Sequence, residues 1–562
     1  MAKYRYHALA ALSGLLLSLA YPGWDFNSIW IIKGGLGWIA WIGLIPLFFA
    51  LKHFTANPTR TKSTLKTNFK IGFFAGLIYF LIIFRWFWSI HPLNTLGIEN
   101  SFLSLLIVIF IWILSSGGMA VFWGLFSLIF AFQFSILKKN SSILNTCYLL
   151  LATPALFVLL EYLRSWGFGF LWAGSGSLFG PHWTVGNLSY ALADNSVIRW
   201  LASYVGIYGI TFLIILVNLM LAKLIYGSRI SLKLRIIVIS LILIAISVIG
   251  YLNFNSTSTA SKNLTYAIIQ TSQQTKLNPN PQETLAGFKE QLELLDRVAK
   301  EHSASQIILF PEASNFFQNI SLFLTPSQIQ NYFYKLFKEP RLVISGGRAL
   351  DTDADDKAYS RVFSLDTQGD IIGFYDKRLL TPGGEFIPYS LKILVNLFSK
   401  NTSSLFNQAR DLSPGQKETS TIDFRYQFNI APIICSEAIA PKLIKKIIQS
   451  SDVVASMASY GVFHGNPTIA NQMLAITRFR AAENHKPVIT ATNMGRSSVI
   501  DSAGKIVFLA TNNNSQILTG SVDIHQQKSW YNKVGDWPII LASLLLIIIS
   551  ISLIWFKETR RP

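Results

Sequence analysis

Apolar stretches long enough to cross a bilayer fill residues 6–252, and another returns at 538–556, close to the end of the 562-residue chain. A spanning helix needs about 20 mainly apolar residues, with about 17 as the practical minimum. The candidates are 6–21, 35–52, 70–90, 103–134, 147–164, 200–225, 234–252 and 538–556, which makes about eight spans. The first is short, the fourth is over-long and must tilt or protrude, and 29–33 reads as an interfacial or re-entrant piece. Only 14% of residues are charged, against roughly 25% in soluble domains, so disorder and a purely soluble enzyme are both excluded. The expected division is 1–252 as a transmembrane helical region, 253–537 as an aqueous domain, and 538–562 as a last span with a cytoplasmic tail.

A formal charge of +19 raises nucleic acid as a partner until the charges are located. Residues 253–537 hold 28 Lys and Arg against 24 Asp and Glu, whereas the remainder holds 20 against 5. The basicity belongs to the membrane part, so the expected partner is the membrane and no nucleic acid. Short loops rich in Lys and Arg face the cytoplasm. With a cytoplasmic N-terminus, 16 of the 20 membrane-part cations fall on that side, Lys3, Arg60 and Lys138 among them. Lys33, Arg85, Arg164 and Arg199 remain opposite, which places the 285-residue segment between the last two spans outside the cytoplasm. Lys3 and Arg5 before an apolar run resemble a signal peptide, but no small-residue cleavage site follows, so an uncleaved first span is expected.

Trp86, Trp88, Trp166, Trp172 and Trp537 fall near expected span ends, where an interfacial aromatic belt is the expectation. Glu161 and Arg164 stand at i and i+3 beside an apolar segment, a spacing suited to an ion pair with each other.

From Leu264 onward the pattern changes to short apolar runs bounded by turn residues: 264–270, 306–310, 342–345, 362–365, 428–434, 453–456, 488–492 and 497–500. These read as strands. Helical patterns at about 282–303, 326–338, 438–450 and 466–485 alternate with them, so an α/β domain is the expected class. Sites gather at the polar turn ends of such strands.

Three strand ends carry reactive side chains: Pro311-Glu312-Ala313 after one, Asp376-Lys377-Arg378 after another, and Ile434-Cys435-Ser436-Glu437 after a third. A carboxylate, an ammonium and a thiol suffice for covalent acyl transfer. The thiol attacks only as thiolate, so it needs a base; Glu312 can take the proton, and Lys377 can hold the thiolate and the developing oxyanion. The other cysteine, Cys147, opens an apolar span, and the two are too far apart in sequence to make a disulfide framework or a metal motif. His302, His464 and His485 lack metal-ligand spacing, and neither a phosphate-binding glycine loop nor a dinucleotide fingerprint is present, so no metal and no cofactor is expected.

The order Glu312 at Pro-Glu, Lys377 at Asp-Lys-Arg before Pro382-Gly383-Gly384-Glu385, and Cys435 at Ile-Cys-Ser-Glu resembles the Glu-Lys-Cys triad of the carbon-nitrogen hydrolase (nitrilase) superfamily. That resemblance implies a four-layer αββα sandwich. With a multi-span body around it, the chain resembles the bacterial apolipoprotein N-acyltransferase family over nearly its whole length. The match extends to Glu161-Tyr-Leu-Arg164, Gly206-Ile-Tyr-Gly209, Arg478-Phe-Arg480-Ala-Ala-Glu483 and Ala491-Thr-Asn-Met-Gly495. The resemblance implies a multi-pass inner-membrane enzyme with its catalytic domain on the periplasmic side. It further implies a phospholipid acyl donor, a thioester on Cys435, and a diacylglyceryl apolipoprotein as acceptor. By the same resemblance Glu385 and Glu437 line the site and buttress Lys377.

Two departures bear on specificity. Ser436 follows the thiol where the family often has an aromatic residue, and 456–465 read Ser-Met-Ala-Ser-Tyr-Gly-Val-Phe-His-Gly in place of the usual run. A divergent paralogue acylating another amine, or a membrane-tethered amidase that passes the acyl group to water, are the alternatives. A transporter with an accessory domain is disfavoured by the scarcity of ionisable residues within the spans. Apolar loops at 316–317, 322–324 and 391–398 read either as core or as surfaces dipping into the bilayer interface.

Overall fold

The computed structural model describes residues 2–24, 35–56, 62–96, 98–137, 143–226, 262–274, 280–351, 357–368, 371–398, 412–416, 422–425 and 428–559. The N-terminal body contains α1 (Ala2–Ala20), α2 (Ile45–Ala56), α3 (Lys62–Ile83), α4 (Ser101–Leu137), α5 (Ile143–Leu171) and α6 (Ser196–Tyr226). Among the described residues four helices are long and apolar enough to cross a membrane: Leu65–Ile83, Ser101–Gln133, Tyr148–Leu171 and Ser196–Ile225. Shorter apolar helices occupy Gly37–Lys52 and Trp537–Ser552. Among the described residues length and composition thus bear out four of the about eight expected spans. Apolar runs in sequence break into shorter helices, as where a 3₁₀ turn at Gly37–Trp41 precedes α2. The expected span at 234–252 and the piece at 29–33 lie outside the described residues.

Small residues let these helices approach closely, the usual device where lipid removes the hydrophobic drive between helices. A Cβ on Gly72 would overlap the Trp123 carbonyl and the Ser127 side chain of α4, and one on Gly76 would lie 2.8 Å from Trp123 Cβ. Helix α6 breaks at Gly206, where φ is +63° and the ring of Tyr531 occupies the place of a side chain. Glu161 and Arg164 do not form the expected pair with each other. Arg164 donates to the Val185 carbonyl at 2.8 Å and to Asn187, while Glu161 accepts from the Leu188 amide at 3.0 Å, so both tie α5 to the following loop. The belt expectation divides as well: Trp88 and Trp537 are exposed, but Trp172 is buried and donates to Ser115 Oγ at 3.2 Å.

The α/β domain runs β1 (Lys262–Gln270), α7 (Pro281–Glu301), β2 (Ile307–Leu309), α8 (Phe316–Ser321), α9 (Pro326–Leu336), β3 (Leu342–Asp351), β4 (Lys357–Asp366), β5 (Ile371–Asp376), α10 (Tyr389–Phe398), β6 (Ile422–Phe424) and β7 (Phe428–Ile434). After a 3₁₀ turn at Cys435–Ile439 come α11 (Pro441–Ile448), β8 (Val453–Ser459), α12 (Pro467–Asn484), β9 (Val488–Asn493), β10 (Ser498–Ile500), β11 (Ile506–Leu509), β12 (Gln516–Ile524), α13 (Trp530–Val534) and α14 (Trp537–Thr559). Two six-stranded sheets result, ordered β12-β1-β2-β3-β4-β5 and β11-β10-β9-β8-β7-β6.

Side-chain alternation along the strands builds the layers. Tyr266 and Ile268 of β1, with Leu309 and Ile344, join Met457 and Ile489 of the second sheet in one core. Ala267, Ile269, Ile308 and Val343 point the other way, against Phe288, Leu295, Phe316 and Phe333 of α7, α8 and α9. Helices α11 and α12 cover the far side of the second sheet, completing an αββα sandwich. The amphipathic α7 follows from its sequence: Asn280 caps it through the Gln282 amide, Pro281 opens it, and Phe288, Gln291, Leu295 and Val298 recur on one face. By contrast α12 is buried on nearly every side, because the second sheet lies under it and the membrane body over it. Gln472 of α12 donates to the Ile83 carbonyl at 2.9 Å, and Glu483 accepts from the Ile207 amide at 3.0 Å.

Two of the expected loops are helices: Phe316–Ser321 and Tyr389–Phe398. Their apolar residues separate into both roles. Phe316 and Leu391 are buried, whereas Leu322, Phe323 and Ile393 are 76%, 61% and 65% exposed.

Candidate active site

Glu312, Lys377 and Cys435 belong to three separate strand ends, and the sandwich brings all three together. Lys377 follows β5 and is 1% exposed; its Nζ lies 3.0 Å from Glu312 Oε1 and 3.0 Å from Glu385. The Cys435 thiol lies beside them, close enough for the Glu312 and Lys377 charges to act on it. Glu312 Oε2 accepts from the Ser459 amide at 3.0 Å, so the carboxylate is held from both sides.

Cys435 sits where β7 ends, with φ at +44°, a left-handed conformation uncommon for a residue with a Cβ. Such geometry costs on the order of 1–3 kcal/mol and persists only where its surroundings over-determine it. Glu437 supplies that constraint. One of its oxygens accepts from the Ile434 amide at 2.8 Å, and the other accepts from the Tyr375 hydroxyl at 2.6 Å and the Arg378 amide at 2.8 Å. Glu437 thus clamps the end of β5 to the end of β7 and does not touch Lys377. Glu385 is the buttress, since both its oxygens lie 3.0 Å from Lys377 Nζ and one of them also accepts from the Thr381 amide at 2.7 Å. Ser436 donates to the Leu379 carbonyl at 2.5 Å and faces away from the cluster into the protein.

Electrostatics follow from one ammonium set among carboxylates in a dry place. Burial pushes the Glu312 carboxyl above the usual carboxylate range, and Glu385 adds to this while Lys377 opposes it. Burial and the neighbouring Glu312 charge push the Cys435 thiol well up, with Lys377 pulling the other way. Burial alone would lower the Lys377 ammonium, but Glu312 and Glu385 outweigh it and hold that group well above its ordinary value. The resting pattern is therefore a neutral thiol, a fixed cation, and a carboxylate placed to accept the thiol proton.

Residues 13–220 match the apolipoprotein N-acyltransferase N-terminal domain, and residues 265–532 match the carbon-nitrogen hydrolase domain. The chain belongs to the apolipoprotein N-acyltransferase family. A protein of that name from Geobacter metallireducens is 25% identical over 542 residues, covering 95% of this chain and 92% of its own. Another from a Synechocystis species is 26% identical over 556 residues, covering 94% and 98%. Among solved structures, Nit3 of Saccharomyces cerevisiae, in the nitrilase superfamily, aligns at a TM-score of 0.35 and 20% identity over 48% of this chain and 93% of its own. With its apolar helices and these relatives, the chain is a bacterial membrane protein.

Two members of this family's cluster were not legible beforehand. The Ser459 amide orients Glu312, and a backbone donor has no side-chain signature, although Ser459 does close a strand. Tyr375 stands two residues before Lys377 and reads in sequence as one more apolar strand residue. His464, at the turn after β8, bonds the Ser89 carbonyl of the membrane body at 2.7 Å and takes no part in the cluster.

Proposed function

We propose that this chain is an apolipoprotein N-acyltransferase that moves a fatty acyl group from a phospholipid, through a thioester on Cys435, to the α-amine of a diacylglyceryl-cysteine. The observation that carries this reading is Lys377 fixed between Glu312 and Glu385 with the Cys435 thiol beside them. Glu312 takes the thiol proton as Cys435 Sγ bonds to the ester carbonyl carbon. Lys377 Nζ lies 3.0 Å from Glu312 and from both oxygens of Glu385, and its three donors let one turn to the oxyanion as that charge develops. The C–O bond then breaks and Glu312 returns the proton to the departing lysophospholipid oxygen. In the second half, the amine attacks the thioester, Glu312 takes its proton, and the C–S bond breaks to regenerate the thiol.

Contact between α12 and the membrane body favours a lipid donor over a freely soluble amide. A water-poor site at the bilayer also protects the thioester from hydrolysis, which an amidase would not need. Exposed Leu322, Phe323 and Ile393 suit insertion into the interface beside it. On this reading 1–252 and 538–562 are membrane regions around an extracytoplasmic domain at 253–537, and the enzyme is a multi-pass protein of the inner membrane. The test is mass spectrometry of the purified protein after incubation with phospholipid: an acyl mass on the Cys435 peptide is expected, discharged by a diacylglyceryl peptide. Discharge by water alone would convert the reading to a hydrolase.

A further inference from the structure

Beside Cys435 a cleft runs across the second sheet beneath α12. Its floor is set by strand register. Ser456 of β8 pairs with Thr490 of β9, and Thr490 pairs with Ser498 of β10, so three hydroxyl residues stand in one row on the same face. Thr490 is buried and its Oγ1 has no hydrogen-bond partner. A buried hydroxyl without a partner costs on the order of 1–3 kcal/mol, which points to a ligand atom at that place.

Arg496 closes the far side. Its guanidinium donates to Asn471 Oδ1 of α12 at 3.0 Å, and among the described residues it has no carboxylate partner. Among the described residues no Asp or Glu lines the cleft. The turn that carries Arg496 is locked: Ser497 Oγ accepts from the Thr492 amide at 3.0 Å, and the Ser497 amide donates to Gln270 at 2.8 Å. Gly495 lies so close under the Tyr460 ring that a Cβ would collide with it. The cation is therefore presented by a rigid support, about two strand spacings from β7, roughly 10 Å at the usual separation. The arginine stem covers part of that gap.

We infer that Arg496, with Asn471 and the hydroxyl row, is an anion subsite that reads the phosphodiester of the acyl donor and thereby sets donor specificity. This rests on the acyl-transfer reading above for the identity of the donor. The cleft also has apolar walls, Met473, Leu474 and Leu509 among them, so an acyl chain can lie against those, but it offers nothing to Arg496 or to the hydroxyl row. The acceptor carries an ammonium in water, and an unpaired guanidinium repels it. A phosphodiester has the charge to pair with Arg496 and the acceptor oxygens to meet hydroxyl donors.

The test uses the full-length protein in a nonionic detergent with Cys435→Ala, so that no turnover intervenes. Binding of dihexanoyl phosphatidylglycerol, dihexanoylglycerol and inorganic phosphate is measured with and without Arg496→Gln. The phospholipid should bind about tenfold or more weakly to the Arg496→Gln variant, with Arg496→Lys recovering part of the loss and dihexanoylglycerol unaffected. Asn471→Asp is the second variant: it places a carboxylate on the guanidinium without removing it, and should also weaken the phospholipid selectively. Unchanged phospholipid binding, or equal loss for both lipids, overturns the subsite. Inorganic phosphate binding as tightly as the phospholipid overturns the lipid assignment in favour of a free-phosphate site. With Cys435 restored, absence of a thioester sinks the acyl-transfer reading, while the binding result still decides the role of Arg496.

Discussion

Tyr375 donates a 2.6 Å hydrogen bond to Glu437, joining the residue two before Lys377 to the residue two after Cys435. Burial pushes the Glu437 carboxyl up, and the Tyr375 hydroxyl with the Arg378 and Ile434 amides pulls it back. Tyr375→Phe removes one of those three donors from a fully buried group, at a cost of about 1.5–3 kcal/mol for a bond to a charged partner. The thermal midpoint should drop by roughly 3–12 °C. Turnover should fall while Cys435 remains acylable, because the clamp positions the thiol without touching the substrate. An unchanged midpoint by scanning calorimetry would show that Glu437 does not hold the two strand ends together.

Cys435→Ala should abolish acyl transfer and Cys147→Ala should leave it intact. Cys435 has the carboxylate and ammonium beside it, and Cys147 lies near the start of α5 in the apolar body. Radiolabelled acyl incorporation into the two purified variants decides this; label retained on the Cys435 variant would contradict the thioester.

Much of this arrangement was legible in the sequence for a definite reason. Glu312, Lys377 and Cys435 each follow a short apolar run, and strand ends are where an α/β sandwich exposes functional groups. Strands β5, β6, β11 and β12 are absent from the expected runs because β5 is interrupted by Gly373, β6 has three residues, β11 is half exposed, and β12 alternates Leu518, Val522 and Ile524 with polar residues around Gly520. Four of the expected spans are long, apolar helices among the described residues; the one at 35–52 divides between Gly37–Trp41 and Ile45–Ala56, because hydropathy registers apolar length and does not see where a helix stops. Glu161 and Arg164 misled through spacing: i and i+3 permits a pair, but each found backbone partners in the next loop.

Gly72→Leu should loosen the membrane body without altering the cluster. The position faces the Trp123 carbonyl and Ser127 across α3 and α4, where backbone cannot move aside. A loss of thermal stability with normal single-turnover acylation per folded molecule is expected. Wild-type stability would mean that the two helices do not pack through this glycine.

A thiol-accessibility scan should place 255–535 outside the cytoplasm and the loop at 55–68 inside, following the asymmetry of Lys and Arg. Labelling by a membrane-impermeant reagent in intact cells is the measurement. Protection of 255–535 would put the cluster on the cytoplasmic side and remove the lipoprotein acceptor from the reading.

The pH dependence of Cys435 acylation distinguishes Glu312 as base from Glu312 as mere scaffold. Glu312 must be ionised to accept the thiol proton, and its carboxyl is raised above the ordinary range, first by burial and then by the Glu385 charge. The acylation rate should therefore fall as pH drops through that raised value, giving an acid limb above pH 4.5, the ordinary carboxylate value. Glu312→Gln removes the acceptor and should slow acylation by about 10²- to 10⁴-fold with the limb abolished. Glu385→Gln moves the same limb in a definite direction. Losing the neighbouring negative charge lowers the Glu312 pKa, so the limb shifts to more acid pH even as the maximal rate falls through the weaker hold on Lys377. A structural role for Glu385 would lower the plateau and leave the limb in place. Single-turnover acylation measured from pH 4 to 9 in both variants reads the two effects separately, and a limb that moved upward in Glu385→Gln would reverse the assignment of Glu312 as the group being titrated.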